Sequence, residues 1–357
     1  GVVPQRSPRP ILTNVFLETK GNKLILFGTD FDQSIIGEIE LIDVTDEGGV
    51  GVSGKRFFDL LRELSGDKVN LKKEGRKLIL REIGGGGKFS FPIVTEEDFP
   101  SRPKIEEEKA RIKMKSAQVQ RMLSRTSYAT SADISLVSFT GVLWQIKPDE
   151  YRTVATDGHR LAIAIEKEQL SSPLTLDLLI PKRSVEQLMK LLAKTDVKEF
   201  EIIIDEGKVF FIVGPFTFQT SLIAERFPNY EQVIPRDNDK VLVLKRDDLV
   251  QALRRVGLFT STLTHLVRFT MGENGLRLKA VDPESGEAEE VLEATYNGEP
   301  LEIGFNSNDI IEILRHIETE SVKFSFRTPM TACMIAPIDE ETNYFTIVMP
   351  LRLPEEF

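Results

Sequence analysis

The sequence predicts an α+β protein of three repeated domains, each with two helices packed on antiparallel β-sheets. Apolar residues recur at i, i+3, i+4 and i+7 in three places, which is the stripe of an amphipathic helix. The stripes begin at Phe57, Val185 and Ile310, so the spacings are 128 and 125 residues. A short strand-like run follows each stripe. One structural unit therefore repeats three times along the chain.

An aspartate in a turn motif marks the same period. Asp30, Asp157 and Asp282 lie inside FGTDFD, VATDGH and KAVDPE and are 127 and 125 residues apart. A period of this length indicates three homologous domains, because the units of a solenoid are shorter. We assign the domains to residues 1–106, 107–235 and 236–357.

Each repeat is also expected to contain an earlier helix. Its apolar stripe lies within residues 115–126 of the second repeat and 245–256 of the third. The matching position in the first repeat falls before Gly1. We therefore expect about 15–20 residues, including one helix, to precede the given chain in the natural protein.

Turn residues divide the rest of each repeat into short strands. Gly21 and Gly275 end alternating runs, and the four glycines 84–87 predict a flexible hairpin loop. The links between repeats, residues 96–113 and 226–240, are polar and each contains a Phe-Pro pair. Each domain is therefore expected to consist of two helices against antiparallel sheet.

The composition excludes several classes of protein. The 357 residues are 41% hydrophobic, which is enough for packed cores. No apolar run reaches the length of about 20 residues that spans a membrane, and we expect no signal peptide. Cys333 is the only cysteine, which excludes an internal disulfide and fits the cytoplasm. The three histidines are far apart, so we expect no metal site and no cofactor.

The net charge of −10 is unevenly distributed. Five helical segments, taken as 55–63, 113–125, 182–194, 245–255 and 307–317, carry +9, which leaves −19 for the rest. Basic helices beside acidic surroundings indicate a surface for a phosphate backbone, with ordinary solvated helix faces as the alternative. The sequence has no base-reading motif, so we expect DNA binding without sequence specificity. From the charge count we select Arg62, Arg121, Arg125 and Arg254 as DNA contacts.

The stretch TVATDGHRLA, residues 153–162, is the repeat copy that carries Gly-His-Arg. Alternating apolar residues flank Asp157-Gly158, a dipeptide that favours a hairpin turn. A plain solvated turn is one interpretation. A second makes Asp157 and His159 an acid–base pair beside Arg160, but no nucleophile motif or phosphate-binding glycine loop accompanies them. Because the counterparts of Asp157 lack a following histidine, we interpret it as a turn residue and predict no catalytic site.

Four motifs in register, VATDGHRLA, IPKRSVEQLMKLL, RFPNYEQVIP and YFTIVMPLRL, resemble the bacterial DNA sliding clamp, the beta subunit of DNA polymerase III. The resemblance runs along essentially the whole chain and includes the threefold repeat. It implies the DNA clamp fold, with two chains in a head-to-tail homodimeric ring whose helices line the hole. The implied function is a non-catalytic processivity factor that encircles duplex DNA, slides along it and tethers the replicative polymerase. The alternative is an interaction scaffold that does not encircle DNA.

The resemblance also implies a peptide-binding cleft between the second and third domains. The replicative polymerase, the clamp loader, and other polymerases and repair proteins are expected to dock short linear motifs there. The apolar residues of the cleft should line a pocket. His159 and Arg160 should contribute polar contacts at its rim. For residues 347–351 a final core strand is the alternative. The cleft residues are Thr156, Gly158, His159, Arg160, Leu161, Pro228, Val233, Ile347, Met349, Pro350, Leu351 and Arg352.

For DNA the resemblance points to Arg6 in the loop before Pro8, and to Lys182 and Arg183 at a helix start. For the subunit interface it points to four apolar residues, each of which has core packing as an equal alternative. In this interface Phe89 and Phe91 of the first domain meet Leu258 and Phe259 of the third domain. The four residues are Phe89, Phe91, Leu258 and Phe259.

Three features depart from the family pattern. Asp309 lies near the cleft at a place where the family often has Tyr, so the preferred peptide motif is expected to differ. The loop 132–138 lacks an aromatic pair that some members carry, which weakens the case for a DNA contact there. Residues 354–357 extend past the usual Arg-Leu ending, and we hypothesise that this tail folds over the cleft and competes with partner peptides.

Overall fold

The computed structural model describes residues 1–168, 175–339 and 343–354. The chain divides into two compact units, residues 1–117 with 186–222, and residues 118–185 with 223–357. Each unit contains two antiparallel sheets. Within the described ranges, no helix is long and apolar enough to cross a membrane.

The first repeat contains seven strands and one helix in its described residues. Alternate strand residues, among them Leu17 and Leu80, point into a core that Phe57 of the helix completes. This arrangement follows from the period of two in the strands and the apolar stripe of the helix. The elements are β1 (Asn14–Lys20), β2 (Lys23–Thr29), β3 (Gln33–Glu40), β4 (Gly48–Ser53), α1 (Gly54–Glu63), β5 (Val69–Glu74), β6 (Lys77–Glu82) and β7 (Lys88–Pro92).

The second repeat adds the earlier helix that the sequence predicts. The helix follows directly on a strand, and Val119, Met122 and Leu123 of its apolar face are buried. The elements are β8 (Ala110–Lys115), α2 (Ser116–Thr126), β9 (Gly141–Ile146), β10 (Glu150–Thr156), β11 (Arg160–Lys167), β12 (Leu176–Pro181), α3 (Lys182–Lys194), β13 (Glu199–Asp205), β14 (Lys208–Val213) and β15 (Phe216–Ser221).

The third repeat has the same order of elements with one additional short strand. Its two helices pack against each other, and Leu249, Leu253 and Leu314 are buried. The elements are β16 (Lys240–Lys245), α4 (Arg246–Val256), β17 (Leu266–Gly272), β18 (Gly275–Asp282), β19 (Gly286–Leu292), β20 (Ala294–Tyr296), β21 (Leu301–Asn306), α5 (Ser307–Arg315), β22 (Ser321–Phe326), β23 (Cys333–Pro337) and β24 (Tyr344–Val348).

The sheets continue from one repeat to the next. One has the order β4-β1-β2-β3-β15-β14-β13-β8, and a second has the order β12-β9-β10-β11-β24-β23-β22-β16-β20. The other two are β19-β18-β17-β21 and β5-β6-β7. We call the β3–β15 pairing joint 1 and the β11–β24 pairing joint 2. Each joint has five antiparallel residue pairs and links consecutive repeats.

The three turn aspartates perform the same task, which confirms that the repeat is structural. In each hairpin the carboxylate accepts a backbone N–H from the far side of the turn, as aspartates in turns commonly do. Asp30 accepts from Gln33 at 2.8 Å, Asp157 from Arg160 at 3.0 Å and Asp282 from Ser285 at 2.9 Å.

The helix boundaries correct the charge count. Lys113 and Lys115 lie on β8, and Lys245 ends β16, so these three lysines do not belong to helices. The five helices therefore carry +6 and the remaining residues −16. The helices are still basic and the rest of the chain acidic, but the segregation is smaller than the sequence predicts.

Candidate functional site

The central turn of residues 157–160 joins β10 to β11. Thr156 pairs with Leu161, and Gly158 has φ +93° at the first central position. A residue other than glycine is strained at this φ, so the Asp-Gly dipeptide explains the tight turn. The Thr156 hydroxyl donates to the Arg160 carbonyl at 2.7 Å and accepts the Gly158 N–H at 3.1 Å. The predicted hairpin is confirmed.

Joint 2 places the C-terminal strand beside this turn. Leu161 of β11 pairs with Ile347 of β24, and both side chains are buried. The Met349 N–H then donates to the His159 carbonyl at 2.9 Å, and the Leu351 N–H donates to the Gly304 carbonyl at 2.8 Å. The turn and the end of the chain therefore form one continuous surface, with the Met349 side chain 47% exposed.

The segment that precedes the third repeat packs on the same apolar cluster. Phe227 and Tyr230 are buried with Leu161 and Ile347, whereas Val233 in the following 3₁₀ turn is 57% exposed. The Tyr230 hydroxyl donates to the Gln145 side chain at 2.6 Å and so anchors the segment on the sheet. Pro228, Pro350 and Arg352 are exposed or half-buried in these two segments, and His159 and Gly158 are exposed on the turn.

The structure contradicts the expectation that Arg160 offers an open polar contact. Its side chain is only 13% exposed, and Nε donates to Asp157 Oδ2 at 3.0 Å. Nη1 lies 3.3 Å from Asp309 Oδ1, and the guanidinium lies 5.4 Å from the Tyr128 ring centroid. These contacts use the guanidinium to hold the turn, and of the two expected rim residues only His159 remains exposed.

Phe139 is a neighbour of this surface that the sequence interpretation missed. Its ring centroid lies 6.3 Å from that of Phe227, and its edge comes within 3.7 Å of a Cβ built on Gly158. Phe139 follows the loop 132–138, in which the family pattern has a pair of aromatics. The signal in the sequence is a single aromatic two residues before the start of β9.

Six of the seven predicted DNA contacts are exposed or half-buried, and the seventh, Arg125, is buried. Arg6, Arg62, Arg183 and Arg254 are exposed, and Lys182 is half-buried at the start of α3. Arg121 is exposed and pairs with Glu166 at 2.9 Å.

The prediction for Arg125 is wrong. Its side chain is 8% exposed, and its guanidinium lies 4.9 Å from the Tyr344 ring centroid in a cation–π contact. Burial of the guanidinium keeps it from a phosphate.

The four residues predicted for the subunit interface differ in how buried they are. Phe91 belongs to the core of the first repeat, where its ring centroid is 5.7 Å from that of Phe57, so the core alternative is correct for this side chain. Phe89 is half-buried beside that core. Leu258 is 76% exposed in the 3₁₀ turn Gly257–Phe259, and Phe259 is half-buried near Gly286 at the start of β19.

Two further expectations concern the C-terminal tail and metal binding. In the hypothesised tail only Pro354 is described, and residues 355–357 lie outside the described residues. Within the described part of the chain, no three His, Cys, Asp or Glu side chains are grouped to hold a metal ion.

Comparison with known proteins agrees with the resemblance. The DNA polymerase III beta subunit families match in order: the N-terminal domain at residues 1–103, the central domain at 113–229 and the C-terminal domain at 231–352. The beta sliding clamp of Pseudomonas aeruginosa is 31% identical over 356 residues, covering 99% of this chain and 95% of the relative. That of Escherichia coli K12 is 30% identical with the same coverage.

Solved structures show the same fold. The sliding clamp of Pseudomonas aeruginosa bound to griselimycin superposes with a TM-score of 0.94 at 30% identity, over 99% of this chain and 95% of that chain. The DNA polymerase III beta subunit of Thermotoga maritima gives 0.92 at 26% identity with the same coverage. The chain therefore has the three-domain DNA clamp fold and belongs to the beta sliding clamp family, the processivity factors of bacterial DNA polymerase III.

Proposed function

We propose that two copies of this chain close head to tail into a ring around duplex DNA, and that the ring tethers DNA polymerases through the surface at joint 2. The observation that carries the proposal is the pair of joints within one chain. In both, the strand that follows the aspartate turn of one repeat pairs with the last strand of the next repeat. Among the described residues, β19 and β7 are the corresponding strands without such a partner. A second copy supplies it.

The two joints predict the register of the contact between subunits. Gln33 pairs with Thr220 in joint 1, and Arg160 pairs with Val348 in joint 2. When the three turns are aligned, Gly286 is the counterpart of Gln33 and Arg160. When the final hairpins are aligned, Phe91 is the counterpart of Thr220 and Val348. The expected antiparallel pairs between subunits are Gly286 with Phe91, Glu287 with Ser90, Ala288 with Phe89, and Glu289 with Lys88.

This register gives the exposed Leu258 a role. Leu258 is the counterpart of Tyr128, because both are the middle residue of the 3₁₀ turn after the first helix of their repeat. The Tyr128 hydroxyl crosses joint 2 and lies 2.7 Å from the Thr346 hydroxyl. The counterpart of Thr346 in the first repeat is Phe89, so Leu258 packs on Phe89 of the second copy. An exposed leucine beside a strand edge fits such an interface.

Disulfide trapping tests both the ring and the register. We expect the double variant Glu287→Cys, Ser90→Cys to form intermolecular disulfides, since directly opposite Cα atoms lie about 5.5 Å apart. The control Glu287→Cys, Lys88→Cys is displaced diagonally by about 7–8 Å and should cross-link poorly. The native Cys333 is buried and does not compete. Non-reducing electrophoresis reports the result, and equal cross-linking in both variants contradicts the register.

The basic helices are proposed to face the DNA. Arg6, Arg62, Arg121, Lys182, Arg183 and Arg254 then meet the phosphate backbone, which carries no sequence information. A ring is retained by topology, so weak and screened contacts suffice and leave the protein free to slide. The ring, assembled on circular DNA by a clamp loader and cross-linked only afterwards, should stay bound and should be released when the circle is linearised. Release before linearisation favours the scaffold alternative.

The surface at joint 2 is proposed to bind short apolar motifs of the replicative polymerase, the clamp loader, and other polymerases and repair proteins. Leu161 and Ile347 form a buried floor, while Met349 and Val233 are exposed beside it. Methionine adapts its shape to several partners, which suits a shared site. The chain then acts without catalysis of its own, in the cytoplasm where DNA is replicated.

Fluorescence anisotropy with a labelled clamp-binding peptide of a polymerase tests this surface directly. We expect micromolar binding to the wild type and about tenfold weaker binding to Met349→Ala, because an exposed apolar anchor is lost. Ser221→Ala is the matched control, since Ser221 occupies the position of Met349 at joint 1. Absence of binding to the wild type contradicts the proposed site.

A further inference from the structure

Asp309 lies in the first turn of α5, close to the central turn of the preceding repeat. The helix is capped by Asn306, whose side-chain oxygen accepts the N–H of Asn308 at 2.9 Å and that of Asp309 at 3.3 Å. The cap fixes the backbone at Asp309, so its carboxylate has a defined direction. The side chain is 27% exposed.

The carboxylate of Asp309 is connected to the peptide-binding surface through one guanidinium. Asp309 Oδ1 lies 3.3 Å from Nη1 of Arg160, whose Nε donates to Asp157 at 3.0 Å. Asp157 in turn accepts the backbone N–H groups of His159 at 2.9 Å and Arg160 at 3.0 Å. Two carboxylates on different repeats therefore share Arg160, and the backbone of the turn is attached to this pair.

The charge of Asp309 depends on this contact. Burial raises the pKa of the Asp309 carboxyl, and the nearby Asp157 raises it further, while Arg160, His159 and His265 oppose the rise. A desolvated carboxylate is costly unless a cation faces it, so Asp309 and Arg160 stabilise each other. The contact between Nη1 and Asp309 is an ion pair without hydrogen-bond geometry, and its attraction in a partly buried place restricts where the turn can lie.

The position of the hairpin turn determines where Met349, the exposed apolar residue of the surface, lies. The His159 carbonyl accepts the Met349 N–H at 2.9 Å, so a displaced turn displaces Met349 as well. At joint 1 the counterpart of Arg160 is the neutral Gln33, which cannot form such a pair.

We infer that Asp309 is a positioning residue of the peptide-binding surface: it holds Arg160, and through Arg160 it fixes the turn that presents His159 and Met349. This inference rests on the proposed peptide binding at joint 2. It assigns a role to the residue that departs from the tyrosine frequent in the family. Asp309 does this without touching the peptide.

A double-mutant cycle on peptide affinity tests the inference. We expect Asp309→Asn to weaken peptide binding about fivefold, and Arg160→Gln to weaken it by a similar factor. Because Asp309 acts through Arg160, the double variant should bind no more weakly than Arg160→Gln alone. Asp309→Asn keeps the size of the side chain and an acceptor oxygen, so the fold should persist, which circular dichroism verifies.

Asp248→Asn is the matched control. Asp248 is exposed at the same position in the first turn of α4, so this variant reproduces the loss of a carboxylate near a helix N-terminus. Its peptide affinity should equal that of the wild type. Unchanged affinity of Asp309→Asn overturns the inference, and so does a double variant in which the two factors multiply. Failure of the wild type itself to bind peptide contradicts the proposed function instead.

Discussion

Joints 1 and 2 have the same backbone and different side chains. Both contain five antiparallel pairs, and both begin at a hairpin in which a Thr-Asp pair organises the turn. In the first hairpin the Thr29 hydroxyl donates to the Gln33 carbonyl at 2.8 Å and accepts the Phe31 N–H at 3.0 Å, as Thr156 does in the second. The second pair counted from the turn is Ser34 with Gln219 at joint 1. At joint 2 it is Leu161 with Ile347.

The fold therefore provides two equivalent places that differ in polarity: the pair at joint 1 is polar, and the pair at joint 2, where we propose peptide binding, is apolar. Ser34 and Gln219 are as buried as their apolar counterparts, and the Ser34 hydroxyl donates to the Thr29 hydroxyl at 2.9 Å, so joint 1 is closed by polar groups. At joint 2 the apolar cluster extends to Phe227 and ends at the exposed Met349. We therefore expect an apolar peptide to bind at joint 2 and not at joint 1.

The largest expected contrast is in how much these two pairs, Leu161 with Ile347 and Ser34 with Gln219, contribute to stability. Leu161→Ala should lower the free energy of unfolding by about 2–5 kcal/mol, because it leaves a cavity in a packed cluster. Ser34→Ala should cost only about 1 kcal/mol, through loss of the hydrogen bond to Thr29. Urea denaturation followed by circular dichroism measures both. Equal losses would mean that the two joints are held together by the same forces, contrary to the comparison.

The turns offer a second contrast of intermediate size. Gly158 has φ +93°, and its counterpart Phe31 has φ +79° although it carries a side chain. Gly158→Ala should lower the free energy of unfolding by about 1–2 kcal/mol and weaken peptide binding, because the turn carries strain at the site. Phe31→Gly should change stability by less than about 1 kcal/mol, since relief of strain offsets the lost contact with Arg9. Peptide affinity should be unaffected by Phe31→Gly, and a loss there contradicts the assignment of the site to joint 2.

Periodic features of the molecule could be predicted from the sequence because they repeat. The helical stripes at Phe57, Val185 and Ile310 and the three turn aspartates each occur three times, so one copy supports the others. The structure has a helix at every stripe and an aspartate-capped turn at each of the three turns that carry the repeated aspartate. Local periodicity and turn chemistry act over a few residues, which is why the chain alone reveals them.

Burial of single side chains could not be predicted in the same way. Arg125 shares a basic helix with Arg121, but one faces Tyr344 and the other faces solvent. The sequence alone suggests Phe91 as an interface residue, because it does not show that Phe57 of α1 packs on its ring. The paired contacts of Arg160 also depend on Asp309, which is distant in sequence. Such facts depend on which faces meet in three dimensions, and a charge count or a motif does not contain that information.

The smallest expected effect is on the pH dependence of stability and concerns His316, at the C-terminal end of α5 beside joint 2. His316 stacks on Tyr128 with ring centroids 4.2 Å apart, and it lies 3.4 Å from Glu312. Its counterpart at the end of α3 is Leu191, which has no titratable side chain. Joint 2 therefore has a pH-dependent contact that the matching helix of the second repeat lacks.

Burial lowers the pKa of His316, and Glu312 offsets only part of that effect. Since the unfolded chain then binds the proton more tightly, stability falls as the pH drops through the ordinary histidine range near 6.5. His316→Phe keeps the stack on Tyr128 and removes the titration. We expect it to reduce the loss of stability between pH 7.5 and 5.5 by less than about 1 kcal/mol relative to the wild type. The two proteins differ at this one side chain, so the difference between the two urea curves isolates His316. A steeper loss in the variant would mean that protonated His316 is stabilised by Glu312 more than it is destabilised by burial.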